Sequence, residues 1–162
     1  MKTALTIGFF DGVHVGHQAL LKVLRSKPHA TILTFSNHPQ SLFHPPAPDL
    51  LISYEERIER LQEYADVVMV LPFTAELANT TYIELLNRFD LSHLILGEGS
   101  IFGNNRKGNE ENVRRYGKEK GIQIEYIPKV LFEGEPISSS RIRKAIGEGQ
   151  TSLANQLLGT LL

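Results

Sequence analysis

Five short apolar runs constrain what this chain can fold into more than any other feature. They read TALTIGFF (3–10), ATILTF (30–35), DVVMVLPF (66–73), HLILG (93–97) and IQIEYIP (122–128). A strand buried on one face alternates apolar with polar residues, whereas a strand buried on both is apolar nearly throughout. Helical spacing fills the gaps, with Leu20, Val23 and Leu24 in 16–26, Ile58, Leu61 and Ala65 in 54–65, and Ile83, Leu86 and Phe89 in 80–89. Strand and helix in alternation give βαβ units, so the expected class is α/β, an open, mostly parallel five-stranded sheet with helices on both faces. Ser53 before Glu55 and Glu56 predicts a helix start, Gly117 and Gly121 predict the stop of a helix over 109–120, and SLANQLLGTLL predicts a short final helix. Two stretches fall outside the alternation and predict loops: proline-rich 36–51 and glycine- and asparagine-rich 97–109. Each follows the carboxyl end of a strand, the edge where open α/β sheets bind ligands.

Length and composition narrow the chemistry. A chain of 162 residues fits one domain, 1–162, burying roughly two thirds of the surface its unfolded form exposes. It has no cysteine, which excludes disulfides, thiolate metal sites and a cysteine nucleophile. A net charge of −1 offers no broad basic surface for nucleic acid, so any positive charge meant for a phosphate is local. No apolar run approaches the roughly 18 residues of a membrane span, and MKTALTIGFF lacks the pattern of a secretory signal. A cytoplasmic protein with neither nucleic-acid nor membrane partners is expected.

The segment GFFDGVHVGHQALL (8–21) sets His14 and His17 three residues apart where a strand becomes a helix. That spacing puts both rings on one side of the first helical turn. Free backbone N–H groups and the positive end of the helix dipole make such a turn an anion site, and a phosphate suits it. Gly16 removes a side chain where a nucleotide would strike it, while Gly8 and Gly12 keep the turn tight. Rival readings are two packing histidines, or a metal pair, although helical zinc pairs use an i, i+4 spacing with a glutamate between. No G-x-S-x-G elbow exists to support a serine hydrolase. PISSSRIRKAIGEG (136–149) repeats the idea: Ser138, Ser139 or Ser140 can cap a helix and hold phosphate oxygens, and Arg141 and Arg143 bring charged donors. Two helix starts would then share one polyphosphate.

The combination of H-x-G-H with ISSSRIR resembles the HxGH nucleotidyltransferase superfamily, whose fold is Rossmann-like. TIGFFDGVHVGHQALL, TFSNHP, FGNNRKGN and ISSSRIR, in that order, resemble the FMN adenylyltransferase module of bacterial FAD synthetase over nearly the whole chain. The resemblance implies transfer of AMP from ATP to FMN, giving FAD and pyrophosphate, with Mg2+ and no covalent enzyme intermediate. It assigns His14, His17 and Arg141 to catalysis, and Gly8, Phe9, Gly16, Ser139, Ser140 and Arg143 to ATP. Asn37 and His38, in the loop after the second strand, and Phe102, Gly103, Arg106 and Gly108 are flavin or loop candidates. Asp11 either orients the turn or meets the metal.

The chain departs from the family pattern in three places. Asn37 replaces a proline, Gly99 and Ser100 stand where the family commonly has a carboxylate or amide followed by an aromatic, and the sequence stops at Leu162. The family usually continues there into a riboflavin kinase barrel, and no kinase motif is present, so riboflavin phosphorylation is not expected of this polypeptide. Two other functions remain open at this stage: adenylyl or cytidylyl transfer to another phosphorylated small molecule, and a nucleotide- or flavin-binding module without catalysis. The oligomeric state leaves no mark on the sequence.

Overall fold

The computed structural model describes residues 1–160. Strands β1 (Thr3–Ile7), β2 (Ala30–Phe35), β3 (Val67–Leu71), β4 (Leu91–Gly97) and β5 (Gln123–Ile127) form one sheet in the order β3-β2-β1-β4-β5. Every pairing in it is parallel, as the continuous apolar runs require. On one face α1 (Val15–Arg25) and α3 (Tyr54–Gln62) bury Leu20, Leu24 and Leu61 against Ala4, Ile32 and Ile95. On the other, α5 (Tyr82–Leu86) and α6 (Glu110–Lys120) bury Leu86, Val113 and Tyr116 against Leu5, Leu33 and Leu94. A third cluster joins α7 (Ser139–Gly147) to α8 (Thr151–Leu158) through Ile142, Ala145 and Leu157.

Several boundaries shift for physical reasons. The first strand ends at Ile7 rather than at residue 10, because Phe10 takes a left-handed backbone (φ 60) and turns the chain out of the sheet. The helix expected over 80–89 is α5 alone, started at Thr81 by a capping box with Glu84. A short α4 (Ala75–Ala78) precedes it. Gly121 ends α6 with φ 72, but Gly117 lies inside that helix, where a Cβ would sit 2.3 Å from Ile124 Cγ1. The proline-rich loop contains the single turn α2 (Gln40–Phe43), and 97–109 contains a 3-10 turn at Asn104–Arg106. A hairpin of β6 (Leu131–Phe132) and β7 (Glu135–Pro136) had no sequence signal, being two residues a side. The final helix stops at Gly159, and the last part of the expected segment, 161–162, lies outside the described residues. No helix among the described residues is long and apolar enough to cross a membrane.

All five carboxyl ends of the sheet open on one edge. From β1 the chain winds outward through β2 to β3, then returns to build β4 and β5 on the other side. The crevice beside β1 is therefore the switch point, where the connections leaving adjacent strands diverge.

Candidate active site

The turn from β1 into α1 builds one wall of that crevice. Gly12 adopts φ 85, which a side chain would strain, and Asp11, Gly12 and Val13 are all buried. His14 then caps α1. Its Nδ1 accepts the His17 backbone N–H at 3.3 Å, and His17 Nδ1 accepts the His14 backbone N–H at 3.3 Å. The two rings stack with centroids 3.5 Å apart. This reciprocal box corrects the expectation of free amides, since two of the N–H groups at the helix start are consumed by the imidazoles. In exchange each ring is fixed. A neutral imidazole whose Nδ1 accepts carries its proton on Nε2, so each presents one Nε2–H donor.

Burial keeps both rings neutral. Desolvation lowers the His14 pKa to about 4. It also lowers that of His17 well below the ordinary value, with repulsion from His14 adding to it. The donors are therefore neutral at pH 7. They line a hollow of about 130 Å³ with Gly16, Gly97, Glu98, Lys129 and Ile137. A Cβ at Gly16 would lie 3.0 Å from His14 Cε1, so this glycine makes room for the His14 ring.

The start of α7 abuts the same turn, but not in the expected manner. Ser138 is the cap, accepting the Arg141 N–H, while Ser139 Oγ donates to Asp11 O at 2.9 Å. Ser140 is exposed on the first turn. Arg143 donates from Nε to Asp49 O at 2.7 Å and from Nη2 to the Asp11 carboxylate, whose other oxygen accepts the Leu51 N–H at 3.0 Å. Arg143 and Asp11 thus clamp α7, the motif turn and the 49–51 loop together. Arg141 points to the hairpin, donating to Glu135 O at 2.9 Å with its guanidinium over the Phe132 ring. Neither arginine lines the histidine hollow.

A second hollow, about 320 Å³, opens on the far side of the same segment. Its walls are aromatic: Phe9, Phe35, Phe43, Phe73 and Phe102. Gly8 and Phe9, expected beside ATP, line this hollow instead, together with Gly103 and Arg106. The 102–108 loop is held closed. Phe102 and Gly108 exchange backbone hydrogen bonds at 3.3 and 2.9 Å, and a Cβ at Gly108 would meet Phe102 O at 2.4 Å. Asn37 pins the rim, with Oδ1 accepting the Phe73 N–H at 2.8 Å and Nδ2 donating to Phe73 O and to Ser41 Oγ. His38 accepts the Gln40 N–H on Nδ1 and sets its ring 4.7 Å from that of Phe9.

Arg57 escaped sequence reasoning. It is 1% exposed, donates from Nη1 to Phe9 O and Thr34 Oγ1 and from Nη2 to Phe35 O, and lies 4.0 Å over the Phe9 ring. It thereby joins the ends of β1 and β2 just where they part to admit the aromatic hollow. One signal existed: Arg57 directly precedes Ile58, so it falls beside the apolar stripe of α3 rather than opposite it.

Crossover helices on both faces, a β3-β2-β1-β4-β5 order and two hollows at the switch point define an open, parallel α/β fold of the Rossmann-like kind. The chain belongs to the FAD synthetase family, whose model matches residues 1–141. It is similar to the bifunctional riboflavin kinase/FMN adenylyltransferase of Haemophilus influenzae, 34% identical over 96% of this chain and 54% of that protein. The chain therefore spans about half the length of the curated relatives it matches. A crystal structure from Streptococcus pneumoniae, described as a macrolide-efflux protein, superposes with a TM-score of 0.85 at 28% identity, over 99% of this chain and 57% of that one. A pantoate-beta-alanine ligase from Francisella tularensis shares the fold alone, with a TM-score of 0.58 at 15% identity, over 96% of this chain and 78% of that one.

Proposed function

We propose that this chain transfers AMP from ATP to FMN, releasing pyrophosphate and FAD. The observation that carries the reading is that a single segment, 7–17, walls two unlike hollows. Gly8 and Phe9 face an aromatic one suited to a flat flavin ring, and His14, Gly16 and His17 face one suited to a nucleotide. A phosphate on the first ligand and the α-phosphate of the second would then meet across the turn. Family membership supports the same reading, as does the pairing of activities named for the Haemophilus relative. Of that pair, only the adenylyltransferase is proposed for this chain.

An FMN phosphate oxygen is ionised at neutral pH, so its attack needs no strong base. It bonds to the α-phosphorus as the bond to the β-phosphate oxygen breaks, and the electron pair leaves with pyrophosphate. What the protein supplies is alignment and donors where charge builds. The two fixed Nε2–H groups suit that task. Among the described residues no group of three His, Cys, Asp or Glu could hold a metal ion, and both oxygens of Asp11 have partners within the chain. The protein residues thus offer Mg2+ no cage of their own, and the reading assigns it none. A cytoplasmic location and small-molecule partners complete the reading.

The test is incubation with ATP and Mg2+ plus FMN, riboflavin, phosphopantetheine or nicotinamide mononucleotide in turn, following pyrophosphate and the adenylylated product. FAD from FMN alone is expected. Product from a different acceptor, or nucleotide binding with no pyrophosphate, overturns the reading.

A further inference from the structure

Positive charge is scarce where the phosphate chain of ATP has to lie. His14 and His17 are neutral, and their reciprocal cap has consumed two helix-start N–H groups. Arg143 is paired with Asp11, and Arg141 is turned to the hairpin carbonyls. Among the described residues, Lys129 is the one lysine or arginine lining the histidine hollow. Among the described residues no carboxylate pairs with its ammonium.

Its backbone is tied down. The Lys129 N–H donates to the Glu98 carboxylate at 3.2 Å, and the Glu98 N–H donates to Ile127 O at 2.9 Å. One residue on, Val130 O accepts the Ile137 N–H at 2.9 Å, at the threshold of α7. The strap from 127 to 130 is thus fixed to β4 on one side and to the approach of α7 on the other. The side chain passes over Gly99, where an added Cβ would sit 3.9 Å from both Cε and Nζ. With glycine there, nothing at position 99 covers the ammonium.

We propose that Lys129 supplies the fixed positive charge that binds the nucleotide's phosphate chain in the histidine hollow. This rests on the adenylyl-transfer reading. A single ammonium–phosphate contact at a partly solvated rim sets the expected scale, about tenfold in affinity.

ATP binding to the full chain, measured by titration calorimetry at low and at high potassium chloride, tests it with Lys129→Met and Lys129→Arg. The Met variant is expected to bind ATP about tenfold more weakly at low salt. That deficit shrinks at high salt, and the Arg variant binds like the parent. FMN affinity, read by quenching of flavin fluorescence, is unchanged in both and reports an intact fold. Unaltered ATP binding in the Met variant overturns the proposal, as does a deficit that salt leaves untouched or that Arg fails to restore. A parent chain that binds no ATP at all overturns the adenylyl-transfer reading and this proposal with it.

Discussion

The two hollows that flank the 7–17 segment are built by opposite means. The histidine hollow takes both of its imidazoles from one helical turn, and their positions follow from backbone geometry: His14 and His17 cap each other, so the placement of one ring fixes the other. The aromatic hollow collects single side chains from the ends of β1 and β2, from α2, from the approach to α4 and from the 102–108 loop. No local rule relates those residues. They are held together by packing, and one buried cation, Arg57, braces the two that follow β1 and end β2. A change in the first site should cost function without the fold, whereas removing a buried group that braces the second should cost both together.

His17→Ala gives the largest effect and tests the first half of that statement. Removing one preorganised donor typically costs about 10²- to 10³-fold in rate. The stability cost is that of a broken cap, about 1 kcal/mol. Initial rates of FAD formation and urea midpoints measured on the same preparation separate the two. A variant that unfolds while keeping its rate per folded molecule would return these histidines to a packing role.

Arg57→Met tests the other half. Methionine fills much of the volume but leaves Phe35 O without its donor and Phe9 O with the Thr34 hydroxyl alone, and one orphaned carbonyl costs about 1–3 kcal/mol. The urea midpoint should drop accordingly. Flavin affinity should fall with it while ATP affinity holds, because Arg57 touches only the β1–β2 side of the segment. An unchanged midpoint would mean that the strands hold the hollow open unaided.

The same contrast explains how much was legible in the sequence. Continuous apolar runs announced a parallel sheet, since burial on both faces leaves a compositional trace in every strand. The H-x-G-H turn was legible for a related reason: a reciprocal cap acts within four residues, so its spacing is written locally. The partners of the arginines were not legible. Arg143 reaches Asp11 and Arg141 reaches Glu135 O only because α7 docks at a particular angle, which no local pattern specifies. The aromatic wall was hidden likewise, since Phe35, Phe43 and Phe73 converge through the path of the 36–51 loop and the Asn37 clasp on Phe73. Gly117 misled because a glycine can end a helix or admit a neighbouring strand, and only the approach of Ile124 decides which.

Acidification forces charge onto histidines beside both hollows. The His14 pKa is held near 4 in the folded chain against an ordinary 6.5, so between those values the unfolded chain binds the proton and the folded one resists it. Stability is therefore full above about pH 6.5 and is lost as the pH falls toward 4, by about 2 kcal/mol at pH 5 from His14 alone. His17 and His38 are shifted the same way, chiefly by desolvation, and add to the loss. Urea midpoints at pH 7.5 and 5.0 measure it, and equal midpoints would show that the rings charge freely. The rate sharpens the point. Donors that are already neutral gain nothing on going from pH 8 to pH 6, whereas a mechanism using imidazolium would speed up over that interval.

Phe43→Ala gives the smallest effect and probes how far the aromatic hollow depends on each of its walls. Phe43 is 56% exposed, and its ring meets that of Phe73 edge-on at 5.6 Å. Little apolar surface is buried there in the absence of a ligand, so truncation should leave the urea midpoint nearly unchanged. A flavin ring seated in the hollow would complete the burial of that face, and one aromatic contact adds about 0.5–1.5 kcal/mol, or roughly two- to twelvefold in affinity. Flavin fluorescence titration should show that loss, with ATP affinity unaltered. If flavin binding were indifferent to Phe43 but sensitive to Phe102, the ring would have to sit deeper, against the 102–108 loop. The single turn α2 would then serve the hollow only as its outer rim.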